Sequence, residues 1–112
     1  MKKYSKIENI INHSEVSEKE IEKYLIRRTK EIGLICLKYS NPNMIGYPDR
    51  MILLPNSKII WVELKSKGKK PSSIQLVRFS EMKKLGHIVQ VVDSKKGIDM
   101  LIDSFIWKGL VK

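Results

Sequence analysis

Three short stretches of this chain carry residue types that can act together chemically: Gly46-Tyr47-Pro48-Asp49, Glu63-Leu64-Lys65, and Gln75. Side chains two apart on a strand point to one face, so Glu63 and Lys65 project together while Val62 and Leu64 point the other way. Asp49 begins the apolar run that precedes the Glu63 run, and a hairpin between the two brings Asp49 close to Glu63. Two carboxylates converging at one sheet end repel unless a cation sits between them. A divalent ion with oxygen ligands, Mg2+ foremost, resolves that conflict. Gln75 shares a helical line with Phe79 and Met82, and a neutral amide facing the sheet can orient a water or a phosphate. Taken alone, each has a plainer reading: a surface ion pair on a frayed strand end, a loop-capping aspartate, a polar residue at a helix start.

The elements that must position these residues are legible from pattern. Residues 1–13 have Ile7, Ile10 and Ile11 at helical spacing, the pattern of a short leading helix or N-terminal extension. Ser17-Glu18-Lys19-Glu20 reads as a capping box opening a helix whose apolar stripe is Ile21, Leu25 and Ile32 with Tyr24, and which Gly33 ends. Strands are predicted over 34–39, 50–54 and 58–65, the last two joined by the tight turn Pro55-Asn56-Ser57. A helix over 74–85, burying Ile74, Val77, Met82 and Leu85, leads to a strand over 87–92. A polar turn at 93–97 precedes a last helix over 98–107. The order αβββαβα predicts an α/β fold: a mixed sheet of about four strands flanked by helices, with strand three, helix and strand four forming a parallel crossover.

Composition bounds the partner. The chain has 112 residues, a formal charge of +10 and a hydrophobic share of 42%, which together predict one globular domain over 1–112 with an anionic partner, nucleic acid by default. Residues 34–112 hold 14 basic and 6 acidic side chains, against 8 and 6 in residues 1–33. One cysteine supports neither a disulfide framework nor a cysteine-rich zinc site. No apolar run reaches the ~18 residues of a membrane span and no signal-peptide apolar region follows Met1, so a cytoplasmic protein without a membrane partner is expected. A Gly-x-x-x-x-Gly-Lys run is absent, so no nucleotide cofactor is expected.

Asp49 after Pro48, thirteen residues, Glu63-Leu64-Lys65, then Gln75 and Gly86: this series resembles the PD-(D/E)XK nuclease superfamily, with its restriction-endonuclease-like core. It is most similar to the stand-alone VRR-NUC domains of phages, and the resemblance runs from about Ser17 to Ser104. It implies metal-dependent phosphodiester hydrolysis with Mg2+ or Mn2+. Asp49 and Glu63 would be metal ligands together with the Leu64 carbonyl, Lys65 would position or activate the nucleophile, and Gln75 would orient the site. An acid from the first helix joins them. Glu22, eleven residues before Gly33, has the spacing seen in Holliday-junction resolvases, with Glu18 one turn earlier as the alternative.

The resemblance further implies a structure-selective DNA endonuclease acting on Holliday junctions or other branched DNA, in the host cell cytoplasm if phage-encoded. Two other readings stay open: a monomeric flap or nicking nuclease, and a non-catalytic DNA-binding module that keeps the fold. Lys67, Lys69 and Lys70, with Gly68 and Pro71, have the make-up of a mobile phosphate-gripping loop, or of a solvated charge run. Arg50 would contact the DNA backbone or neutralise the acids. Trp61 lies on the Glu63 face, lining the site or packing beneath the first helix. Cys36 is expected in the core, and His13 and His87 lack metal-ligand spacing. A twofold pair of sites can cut two strands symmetrically, and Phe105, Ile106, Trp107, Leu110 and Val111 are more apolar residues than one face needs, so a homodimer is expected.

Overall fold

The computed structural model describes residues 17–111; the leading helix expected over 1–13 lies outside the described residues. The elements run α1 (Glu18–Glu31), β1 (Ile35–Lys38), β2 (Arg50–Leu53), β3 (Ile59–Leu64), α2 (Ser73–Lys84), β4 (Ile88–Val92) and α3 (Lys95–Trp107). They form one mixed sheet in the order β1-β2-β3-β4. The first three strands are antiparallel neighbours, and β3 pairs with β4 in parallel through α2. This is the α/β architecture and crossover predicted from the sequence.

Strand alternation divides the core between the two sheet faces. Ile52, Ile60, Val62 and Leu64 point to one face and are covered by Ile21 and Leu25 of α1 and by Ile98, Ile102 and Phe105 of α3. Trp61 and Val89 point to the other and meet Phe79 and Met82 of α2. The first layer is the larger, and each of its fully buried aliphatic side chains contributes about 1.5–3 kcal/mol of transfer free energy. Thr29, inside α1, buries its hydroxyl by donating it to the Leu25 carbonyl at 2.9 Å.

Four expectations are corrected. Only half of a capping box forms at α1, where the Ser17 hydroxyl accepts from the Glu20 amide. The complete box is at α2, between Ser72 and Gln75. The inward line of α2 is half-buried Gln75 with buried Phe79 and Met82, whereas Ile74, Val77 and Leu85 are 37%, 51% and 80% exposed. This helix covers only the β3–β4 half of the sheet, so one narrow line of side chains meets it and apolar content elsewhere stays in solvent. The last helix starts one turn early, because Ser94 accepts from the Gly97 amide at 2.9 Å and so caps it. Finally, Phe105 is buried, and Leu110 and Val111 pack on the core of their own chain, so of the C-terminal apolar residues only Ile106 and Trp107 stay on the surface.

Candidate active site

Register places Asp49. Arg50 pairs with Val62 across the β2–β3 hairpin, so Asp49, one residue before Arg50, stands beside Glu63 and Leu64. The Leu64 amide donates to Asp49 Oδ1 at 3.2 Å. The Tyr39 amide donates to the Asp49 carbonyl at 2.8 Å, closing the base of the 40–48 loop. That loop is pressed onto α2. Arg78 Nε donates to the Ile45 carbonyl at 3.1 Å, and its guanidinium lies 5.4 Å from the Tyr47 ring centre. Gly46 makes the approach possible: its φ is +100°, and a Cβ there would stand 2.9 Å from Arg78 Cγ and 3.2 Å from the Ile74 carbonyl oxygen.

Glu63 is the centre of the site. It is 5% exposed, and its Oε2 accepts from Lys65 Nζ at 3.2 Å and from Gln75 Nε2 at 2.9 Å. Its Oε1 is buried without a partner. Gln75 is held at both ends, since its Oε1 accepts from the Ser72 amide at 2.9 Å. The residue that completes the α2 cap is therefore the one that reaches the acid, so the plain and the functional readings of Gln75 are both realised. Burial pushes the Glu63 carboxyl above its ordinary range and the nearby Asp49 charge adds to it, against the opposing pull of Lys65 and Gln75. Asp49 is also raised by burial, which outweighs the backbone amides that favour its ionised form, and the Glu22 charge raises it further.

Glu22 accepts from Arg50 Nη2 at 2.9 Å and is thereby tied to the edge of this cluster, while Glu18 is exposed at the start of α1. Arg50 itself is 8% exposed. Of its two expected roles the geometry shows the neutralising one, the pair with Glu22, while its Nε is buried without a partner. Trp61 packs with Phe79, Met82, Val89 and Tyr47 under α2, not beneath the first helix, and its ring stands edge-on to Tyr39 at 5.3 Å. Cys36 packs against the core, where burial pushes its thiol up.

Lys67, Lys69 and Lys70 are exposed on the loop that leaves β3. The Gly68 amide donates to Asp93 Oδ2 at 3.2 Å and the Lys69 amide to the Ser66 carbonyl at 3.0 Å, so the middle of the loop is joined to the turn that follows β4. The sequence reading missed Asp93 as this anchor. Its only signal was a polar residue next to a helix cap.

The residues present suit a hard cation. Among the described residues no three metal-ligating side chains converge; Asp49 and Glu63 are a pair, and Glu22 is turned onto Arg50. Mg2+ keeps several waters and takes one or two carboxylates, so a pair suffices. The unpartnered Glu63 Oε1 supplies a buried lone pair with nothing to receive it.

A four-stranded mixed sheet with helices on both faces, and an aspartate meeting a Glu-x-Lys at one sheet end, defines the class: a PD-(D/E)XK nuclease frame. No model of a protein family matches the sequence. A curated protein from Acyrthosiphon pisum secondary endosymbiont phage 1, named "Putative nuclease p44", is 44% identical over 80 residues, 71% of this chain and 86% of that protein. A solved structure described as a VRR_NUC domain superposes with a TM-score of 0.72 at 34% identity, covering 77% of this chain and 94% of that one. The chain belongs to the VRR-NUC family of nucleases.

Proposed function

We infer that this nuclease is a metal-dependent DNA endonuclease that acts on four-way junctions or other branched DNA as a twofold pair of subunits. The observation that carries the reading is the meeting of half-buried Asp49 and buried Glu63 beside Lys65, with Glu63 Oε1 left unpartnered. Asp49 and Glu63 would hold the ion with the Leu64 carbonyl, and Glu22, ion-paired to Arg50, would contribute through water. Bound Mg2+ or Mn2+ supplies Lewis-acid polarisation of the phosphate and a bound water of lowered pKa.

The chain's own residues do the rest. Lys65, held against Glu63, presents its ammonium where the attacking water and the developing negative charge of the phosphate meet. Gln75, braced by Ser72, keeps the Glu63 carboxylate in one orientation. Lys67, Lys69 and Lys70 grip the DNA backbone beside the site. The pairing of subunits is supported by Met100, Ile106 and Trp107, which are 64%, 49% and 91% exposed on α3.

The test is cleavage of labelled four-way junction, flap, single-stranded and duplex DNA in Mg2+ or Mn2+, beside Glu63→Ala and Lys65→Ala. Symmetric junction cutting lost in both variants is the expected result. Cutting of flaps or single strands instead would keep the chemistry and discard the junction. Tight binding without metal-dependent cutting of any substrate would overturn the reading in favour of a binding module.

A further inference from the structure

Away from the acids, at the corner where α1 meets the start of α3, a second cluster gathers charge of the opposite sign. Tyr24 donates its hydroxyl to Asp99 Oδ1 at 2.6 Å, which fixes the ring. Three cations stand around that ring: Arg27 at 5.0 Å, Lys95 at 5.6 Å and Arg28 at 5.8 Å from its centre. Only Arg28 is consumed locally, by Asp99 and by Glu31 at 3.3 Å. Arg27 reaches Glu31 only at 3.9 Å with both side chains more than half exposed, a pair that water screens. Lys95 makes no ion pair among the described residues. Arg27 and Lys95, with Lys23, Tyr24 and Glu20, line an open notch of about 150 Å³. Lys23 reaches Glu20 only at 3.9 Å in an exposed pair that water screens, so the notch holds three cations against one carboxylate, and an anion among them offsets the excess positive charge.

The notch is connected to the site. The Lys65 amide donates to the Val92 carbonyl at 3.0 Å, so the catalytic strand ends beside the β4–α3 turn. The lysine loop is tied to the same turn through Gly68 and Asp93, and Lys95 follows Asp93 by two residues. Positive charge therefore continues from Lys65 through the loop to Lys95 and then across to Arg27 and Lys23 on α1. We propose that this corner is a second phosphate-binding station, which takes the backbone of the DNA segment leaving the active site. The proposal rests on the nuclease reading, whose substrate it follows past the point of cutting.

The experiment measures binding of a labelled duplex of about 30 base pairs, long enough to extend past the site, in EDTA so that nothing is cut. It compares Arg27→Ala/Lys95→Ala with Lys58→Ala/Lys108→Ala, which removes the same charge from a cavity lined also by His87 and Leu110 elsewhere on the molecule. Thermal melting confirms that both variants fold. The corner variant is expected to bind about tenfold more weakly near physiological salt, with a salt slope shallower by about two, one unit per lost phosphate contact. It should also raise KM for cleavage with kcat at saturation unchanged. The control should match the parent. Equal weakening by the two variants, or none by the corner variant, overturns the station while leaving the nuclease reading intact. A protein that shows the corner effect on binding yet cuts nothing in Mg2+ or Mn2+ keeps the station and loses the nuclease reading.

Discussion

Asp49 and Glu63 are held close together, the first half-buried and the second buried, an arrangement that costs free energy until a cation joins them. Both carboxyls bind protons more tightly folded than unfolded. The stability they contribute is therefore complete below the ordinary carboxylate range and is lost as pH rises through their raised values. Metal-free protein melted between about pH 4 and pH 8 should show this loss, and Asp49→Asn should flatten it. The same variant is expected to melt a few degrees higher than the parent in EDTA at neutral pH, to gain nothing from Mg2+, and to be inactive. A lower melting temperature for Asp49→Asn in EDTA would show that its bond to the Leu64 amide outweighs the repulsion. Lys65 makes a different contribution. Its ammonium already neutralises part of Glu63, and Lys65→Met should lower kcat by about 10²–10³ while DNA binding holds, the scale of removing one charge stabiliser from a transition state.

At the scale of elements, precision comes from the loop before β2 and from the cap of α2. Asp49 is aimed by a loop that lies on α2 only because Gly46 has no side chain. Gly46→Ala adds a backbone conformation that L side chains rarely adopt to a contact with the Ile74 carbonyl, and is expected to destabilise the chain by about 1–3 kcal/mol. The loss of cleavage should be larger than that destabilisation accounts for, because the loop shift moves Asp49 away from Glu63. Urea denaturation alongside single-turnover cleavage separates the two effects. Activity that falls only in step with the folded fraction would remove the loop from the positioning argument.

For the whole molecule, the sign and placement of charge decide the partner. With a formal charge of +10, DNA binding should be steeply salt-dependent. Replacing Lys67, Lys69 and Lys70 together by Ala should reduce the slope of log K against log[salt] by about two to three, read by titration between about 50 and 200 mM salt. The exposed Trp107 and Ile106 on α3 belong to the same scale. Sedimentation at micromolar concentration is expected to show a dimer that Trp107→Glu splits. A parent protein that stays monomeric with and without junction DNA would end the paired-subunit reading.

The sequence by itself determined the order of elements, the hairpin and the meeting of Asp49 with Glu63, because local periodicity and a short turn leave one register that buries Ile52, Ile60 and Val62 together. Family resemblance selected Gln75 and ranked Glu22 over Glu18, and local pattern alone had little to say about either. Only the tertiary structure decided which apolar residues of α2 are core, since that depends on how much of the sheet the helix covers. It alone turned Arg50 inward, because a guanidinium follows its strand's alternation into the layer beneath α1, where Glu22 receives it. The link from Gly68 to Asp93 and the cations gathered on Tyr24 are likewise invisible in the linear chain. They join residues 25 and as many as 75 positions apart, and such contacts are set by the packing of whole elements rather than by local pattern.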